Sequence, residues 1–369
     1  MKKIKFLLMV LMTMMVTTAF VACNSNDDDN NGGISNMERY QQEVDATVKS
    51  GKSHDKVILL VAFGSTWQQA YDAFDNTVKE YKAAFPNYDV FLSFSSAICI
   101  NRAAAGENTA KRNFYEPKYW LEAFGRVQYN EIIVQSMQVI PGEEFSRVVN
   151  AMKDFGNNSN GDLDDNYMAK VTLKMGMPLM YTEDDATTLA SALDANFKKY
   201  ADQGATLFMG HGNPDDYDTY KANVRYTQLE DALQAINTNY FVGTVDMADN
   251  FKVQVHNRMV DAGITSGKVF CAPLMSIAGD HAHNDMAGDD DEWEESMATQ
   301  TEDEAEDVSW KKYFGHLNYE IIEDPYYTDN GTDALVKGLL EYKNIREIYI
   351  NHTKSAEVVD FYHSMYPEE

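Results

Sequence analysis

The chain has 369 residues, with 58 acidic against 31 basic side chains, a formal charge of −27 at pH 7 and 44% hydrophobic content. Such a surface repels nucleic acid and gathers cations through its mean field, which excludes DNA and RNA as partners, and the apolar content suffices for two domains of ordinary size. Only three cysteines are present, Cys23, Cys99 and Cys271, with no CxxC or Cys/His knuckle spacing, so any metal site must be built from nitrogen and oxygen ligands.

Lys2, Lys3 and Lys5 precede an apolar run at residues 6–15, and small residues lead up to Cys23, the layout of a secretory signal at 1–22. The run is too short for a membrane span. Phe20-Val21-Ala22-Cys23 resembles a bacterial lipobox, in which cleavage falls before the cysteine and the new N-terminus carries a lipid on Cys23. The protein is then expected to be exported and lipid-anchored to the cell envelope, on the periplasmic or surface face of the outer membrane. Ordinary cleavage with an unmodified Cys23 is the alternative. Residues 24–33 hold no apolar side chain, and a flexible tether is expected from 23 to 52.

Residues 56–63, KVILLVAF, form an unbroken apolar run ending at Gly64-Ser65-Thr66, as a buried parallel strand entering a turn should. Trp67, Ala70, Tyr71, Phe74, Val78, Tyr81 and Phe85 then recur at helical spacing, with Ser65 or Thr66 as cap and Pro86 as stop. Strands are expected at 88–94, 131–139 and 170–176, with helices such as 117–124 and 145–155 between them. A second cycle opens after a helix at 183–200, capped by Thr182, and its strands are expected at 205–209, 240–245, 268–273 and 346–350. This alternation predicts an α/β fold of two lobes, 53–182 and 183–369. Each lobe is expected to be a parallel sheet flanked by helices, with a ligand cleft between the lobes at the carboxyl ends of the strands. Residues 289–307 hold eleven acidic side chains and no basic one, and read as a solvated loop or mobile lid.

Three expected second-lobe strands deliver candidate metal ligands at their ends: Gly210-His211-Gly212, Asp246, and the run Gly279-Asp280-His281-Ala282-His283-Asn284-Asp285. Two neutral imidazoles and a carboxylate suit cobalt, nickel, iron or zinc better than calcium or magnesium. Each element alone also has an ordinary reading, a turn histidine or a helix-capping Asp. His283 is two residues from His281, a spacing that in extended backbone puts both on one face, so it reads as either a second ligand or, preferably, a surface histidine or one that supports a ligand from behind. Arg102, Lys111, Arg112 and Lys118 form a basic segment beside Phe114, Tyr115, Tyr119 and Trp120. This is either a surface for an anionic flat ligand or an amphipathic helix with aromatic core contacts.

Leu60-Val61-Ala62-Phe63-Gly64-Ser65-Thr66, Met209-Gly210-His211-Gly212 and the long run from Pro273 through Asp290 resemble the anaerobic sirohydrochlorin cobaltochelatases, the class II tetrapyrrole chelatases. Weaker likeness lies at 135–144, 176–179 and 242–245, so the resemblance spans about residues 56–311. It implies an enzyme, a lyase that inserts cobalt into sirohydrochlorin for cobalamin biosynthesis. His211 and Asp246 would be catalytic, and His211, Asp246 and His281 would hold the metal. Gly64, Ser65, Arg102 and Gln138 are the candidate substrate contacts. Two residues depart from the family pattern: Asp246 stands where Glu is usual, and Gln138 where a histidine is usual. These departures and the export signal suit an alternative, a surface lipoprotein that captures haem or another tetrapyrrole for scavenging. A homo-oligomer is compatible with the sequence.

Overall fold

A computed structural model describes residues 35–107, 110–247, 249–288, 292–298, 308–322 and 337–359, and within them the alternating patterns become two separate sheets. The signal segment, Cys23 and most of the acidic stretch at 289–307 lie outside the described residues. No helix among the described residues is long and apolar enough to cross a membrane.

Helix α1, Asn36–Gly51, occupies the second half of the expected tether. Ser35 and Glu38 bond each other reciprocally at its start, Ser35 N to Glu38 Oε2 at 2.8 Å and Glu38 N to Ser35 Oγ at 3.2 Å. Val44 and Val48, one turn apart, are fully buried. Burying each stabilises the fold by about 1.5–3 kcal/mol and anchors on the first sheet a segment that the tether reading leaves loose. Asp45 pairs with Arg126 at 3.0 Å and Gln41 Nε2 donates to the Tyr119 carbonyl at 3.0 Å.

The first sheet has the order β2-β1-β3-β4-β9, from β1 (Lys56–Ala62), β2 (Asp89–Phe94), β3 (Glu131–Ser136), β4 (Thr172–Gly176) and β9 (Glu357–Val358). All its pairings are parallel except β4 with β9. Alternate residues of β1 face opposite layers. Val57, Leu59 and Val61 pack with α1, α4 (Pro117–Arg126) and α5 (Glu143–Gly156), while Ile58, Leu60 and Ala62 pack with α2 (Gln68–Ala84). A short helix α3, Ala97–Ala105, follows β2 and is capped by Ser96.

The second sheet is wholly parallel, in the order β6-β5-β7-β8, from β5 (Ala205–Gly210), β6 (Tyr240–Thr244), β7 (Gly267–Pro273) and β8 (Tyr319–Ile321). Helix α6, Glu183–Ala201, begins with the Thr182–Asp185 capping box and turns Leu189, Leu193 and Phe197 into a core layer shared with Phe74 and Tyr81 of α2. Helices α7 (Val224–Ile236), α8 (Lys252–Asp261) and α9 (Trp310–His316) complete this half, with Val255, Trp310 and Phe314 against Leu207 and Met209.

The expected strand at 346–350 is helix α10, Lys343–Lys354. Ile345, Tyr349 and Thr353 recur every four residues and are buried, a helical period that outweighs the short alternation of Arg346-Glu347-Ile348. α10 packs on β3 and β4, and β9 then pairs antiparallel with β4. Residues 343–358 therefore belong with the first sheet, not with the second lobe as the 183–369 boundary expects.

Candidate active site

The parallel sheets send their strand ends to one edge, and three such ends in the second sheet meet. β5 runs straight into His211. Backbone pairing continues past the strand, with Val245 N on Gly210 O at 3.1 Å and Asp246 N on His211 O at 2.9 Å, which sets Asp246 beside His211. Gly212 then reverses the chain with φ +80°, and a Cβ there would approach Met247 Cγ to 2.8 Å and Thr244 Cβ to 3.0 Å, so a glycine is required. From β7, Leu274 N binds Met209 O at 2.7 Å, and the following loop brings His281 to the head of one π-helical turn, Ala282–Met286.

The imidazoles of His211 and His281 stand edge to face, with ring centroids 4.8 Å apart and planes at 88°. His211 Nδ1 lies 3.0 Å from Asp246 Oδ2 and 3.0 Å from the Gly212 carbonyl. His281 Nδ1 lies 2.5 Å from Asp285 Oδ2. Both rings therefore spend Nδ1 on a carboxylate, which leaves Nε2 as the nitrogen for an incoming ion or proton and fixes ring orientation. Burial pulls the His211 imidazole down, but the Asp246 hydrogen bond and charge, with the Gly212 carbonyl and Glu144, more than reverse this and push it up to about 9. Half of its side chain, 52%, is open to solvent, which tempers that shift. Burial raises the Asp246 carboxyl, and the neighbouring His211 and His281 bring it below the usual range.

Asp246 is a direct partner of His211. Among the described residues no group of three or more His, Cys, Asp or Glu side chains closes around an ion.

Glu144, at the start of α5, enters from the first lobe. Ser95 Oγ donates to its Oε2 at 3.0 Å, Arg147 pairs with it at 3.2 Å, and burial raises its carboxyl while the His211 charge opposes this. Sequence reasoning missed it; the available signal was its place just past a first-lobe strand, the same rule that selected Asp246.

The substrate-side candidates sort differently. Gly64 is required by its φ of +119° and by a Cβ that would lie 2.8 Å from both Cys99 Cβ and Phe94 Cδ2. Ser65 is buried and its hydroxyl accepts from Trp67 N at 3.2 Å in the turn ahead of α2, whose N-cap is Trp67 with no side-chain cap bond, and not Ser65 or Thr66 as expected. Arg102 meets Asp280 at 3.4 Å and Glu107 at 3.3 Å. Gln138 is buried, accepts from Ser136 Oγ, and keeps its Nε2 without a partner. The basic segment is neutralised locally, Arg112 by Asp75 at 2.8 Å and Lys118 by Glu116 at 2.7 Å. Phe114, Tyr119 and Trp120 are buried, which makes this segment core and not a ligand surface. His283 stacks on Trp67, and the helical turn sends it away from the side that an extended backbone would share with His281. Cys99 and Cys271 are free thiols, and burial pushes Cys271 up to about 12.

Two parallel-stranded sheets flanked by helices, with two imidazoles brought together beyond the strand ends of the second, define an α/β protein of the chelatase type. The chain belongs to the family described as Cobalt chelatase (CbiK), whose model matches residues 56–358. It is 27% identical over 242 residues to the sirohydrochlorin cobaltochelatase of Salmonella typhimurium, covering 64% of this chain and 83% of that protein. It is 27% identical over 307 residues to sirohydrochlorin cobaltochelatase CbiKC of Nitratidesulfovibrio vulgaris, covering 82% and 90%. Among solved structures, SirB from Bacillus subtilis with Fe3+ is similar at a TM-score of 0.49 and 12% identity, covering 81% of this chain and 94% of that one.

Proposed function

We propose that this protein is a metal chelatase that inserts cobalt into sirohydrochlorin. The observation that carries the reading is the His211–His281 pair, each ring backed at Nδ1 by a carboxylate. Insertion of a divalent ion into a free-base tetrapyrrole forms four metal–nitrogen contacts and releases two pyrrole protons, so the site must supply acceptors. Imidazole is a competent base near neutrality and water is a poor one. The arriving ion displaces the proton that Asp246 favours on His211 and is steadied by Nε2 of the pair; once the ion has passed to the macrocycle, the freed His211 takes up a leaving pyrrole proton, with Asp246 stabilising its imidazolium. Cobalt is the preferred substrate ion, with iron, nickel and zinc accepted by the same donor chemistry.

Incubating the purified protein with sirohydrochlorin and cobalt should convert the free-base absorption spectrum to that of the metallated product. The conversion should disappear in the His211→Ala/His281→Ala double variant. Full insertion by the double variant sinks the reading.

The N-terminal residues support export, with lipid carried on Cys23, and this favours a second role in capturing haem or a related tetrapyrrole outside the cytoplasm. Radiolabelled palmitate should enter the protein in cells and fail to enter Cys23→Ser. Tight haem binding with no metal exchange would favour capture over insertion.

A further inference from the structure

The loop that carries His281 is held at both ends by its own half of the molecule. Leu274 N binds Met209 O at 2.7 Å, and Ser309 Oγ donates to Gly288 O at 2.9 Å. Its middle is held from the other lobe. The Trp67 indole lies flat on the His283 imidazole, with centroids 3.8 Å apart and planes within 4°. The same indole donates from Nε1 to Asp280 Oδ1 at 2.9 Å. Arg102 Nη1 reaches the other oxygen, Asp280 Oδ2, at 3.4 Å. One first-lobe side chain therefore grips the residue immediately before His281 and the residue two after it.

His283 is suited to this and not to metal contact. Its Nδ1 lies 2.9 Å from the Gly279 carbonyl, which can only accept, so Nδ1 carries the proton, and its Nε2 is buried without a partner. Trp67 sits at the head of α2, directly after the Gly64-Ser65-Thr66 turn, so its backbone is fixed by the first sheet. His281 itself makes its Nδ1 contact only within the loop, to Asp285, four residues on. The place of its ring relative to His211 is then set by how the turn is seated; Leu339 N and Leu340 N hold the start of the loop at Met275 O and Ser276 O, and the Trp67 contacts seat the part around His281 itself.

We infer that Trp67 is a positioning residue for His281, a clamp from the first lobe that completes the imidazole pair through Asp280 and His283. This rests on the chelatase reading for its effect on rate, but its effect on metal contact does not. A displaced imidazole costs rate steeply, since misplacement by about 1 Å lowers a step roughly 100-fold.

The test uses the full chain with cobalt alone and then with sirohydrochlorin. The cobalt ligand-field spectrum and affinity of Trp67→Ala should move toward those of His281→Ala, and its kcat should fall about tenfold with KM for the macrocycle little changed. Trp67→Phe, which keeps the stack and loses the Nε1 bond, should recover most of both. A Trp67→Ala protein with the parent's cobalt spectrum and kcat overturns the inference, as does a change confined to KM, which would make Trp67 a macrocycle contact. If Trp67→Ala does not fold, Trp67→Phe combined with Asp280→Ala decides on the same two readouts. If the parent inserts no metal at all, the chelatase reading fails while the cobalt spectra still judge the clamp.

Discussion

Arg346 grips Glu80 with two parallel hydrogen bonds, Nη2 to Oε1 at 2.6 Å and Nε to Oε2 at 2.9 Å. The pair ties α10 to α2, and Arg346 also donates from Nη1 to the Leu340 carbonyl at 2.6 Å. The Arg346 hydrogen bond holds the Glu80 carboxyl below its ordinary range. Arg346→Met leaves a half-buried carboxylate alone and should cost about 3 kcal/mol in chemical denaturation, near the low end for breaking such a pair. Replacing Glu80 by Met as well should recover part of that loss, because no uncompensated charge remains. Equal losses in the single and double variants would refute the pairing account.

Asp246 is expected to matter through His211. Asp246→Asn keeps a polar group of the same shape at 3.0 Å from Nδ1 but removes its charge. Cobalt affinity measured by titration calorimetry should drop about 10–100-fold, as for other groups that orient a metal-binding histidine. Unchanged affinity would remove Asp246 from the site.

Gly212 lends itself to a backbone test. Gly212→Ala places a Cβ at a φ of +80° and within 2.8 Å of Met247 Cγ. A stability loss of about 1–3 kcal/mol should accompany a fall in metal insertion, because the neighbouring His211 must shift with the turn. Full activity in this variant would show that the turn tolerates a side chain.

His352 provides the pH signature. Its Nε2 lies 3.3 Å from Asp185 Oδ1 and its Nδ1 3.2 Å from the Met177 carbonyl. Burial lowers its affinity for a proton, yet Asp185 and the nearby carbonyls outweigh this and raise the imidazole above its ordinary value. Burial raises the Asp185 carboxyl, and His352 and the Thr182 capping bonds bring it below the usual range. A raised histidine stabilises the fold below its unfolded value of about 6.5 and loses that contribution as pH climbs through the folded value. A lowered carboxylate contributes above about 3.9 and loses it as pH falls. The stability difference between the parent and His352→Gln should therefore be largest near pH 5–6 and shrink toward pH 9. A difference that grows with pH would contradict the ion pair.

Much of the site could be read from strand ends, because a parallel sheet converts sequence position into spatial convergence. His211, Asp246 and His281 each follow an apolar run, and that rule alone brings them together. Glu144 obeys the same rule but sits in an acidic, helix-starting context that reads as capping. The clamp on the His281 loop was illegible, since Trp67 has the spacing of a core helix residue and its partners lie far away in sequence. α10 reads as a strand from sequence because Ile348 and Ile350 alternate over too short a stretch to separate the two periods. α1 carried a legible start signal in Ser35 and Glu38, masked by the polar run before it.

The first sheet takes its outermost strand and one covering helix from residues 343–358, which leave the ribosome after every residue of the second sheet. The first sheet therefore cannot reach its final form until the whole second sheet has been made. It waits with the outer edge of β4 bare until the tail arrives, and that interval is when the nascent protein most needs shielding from other chains.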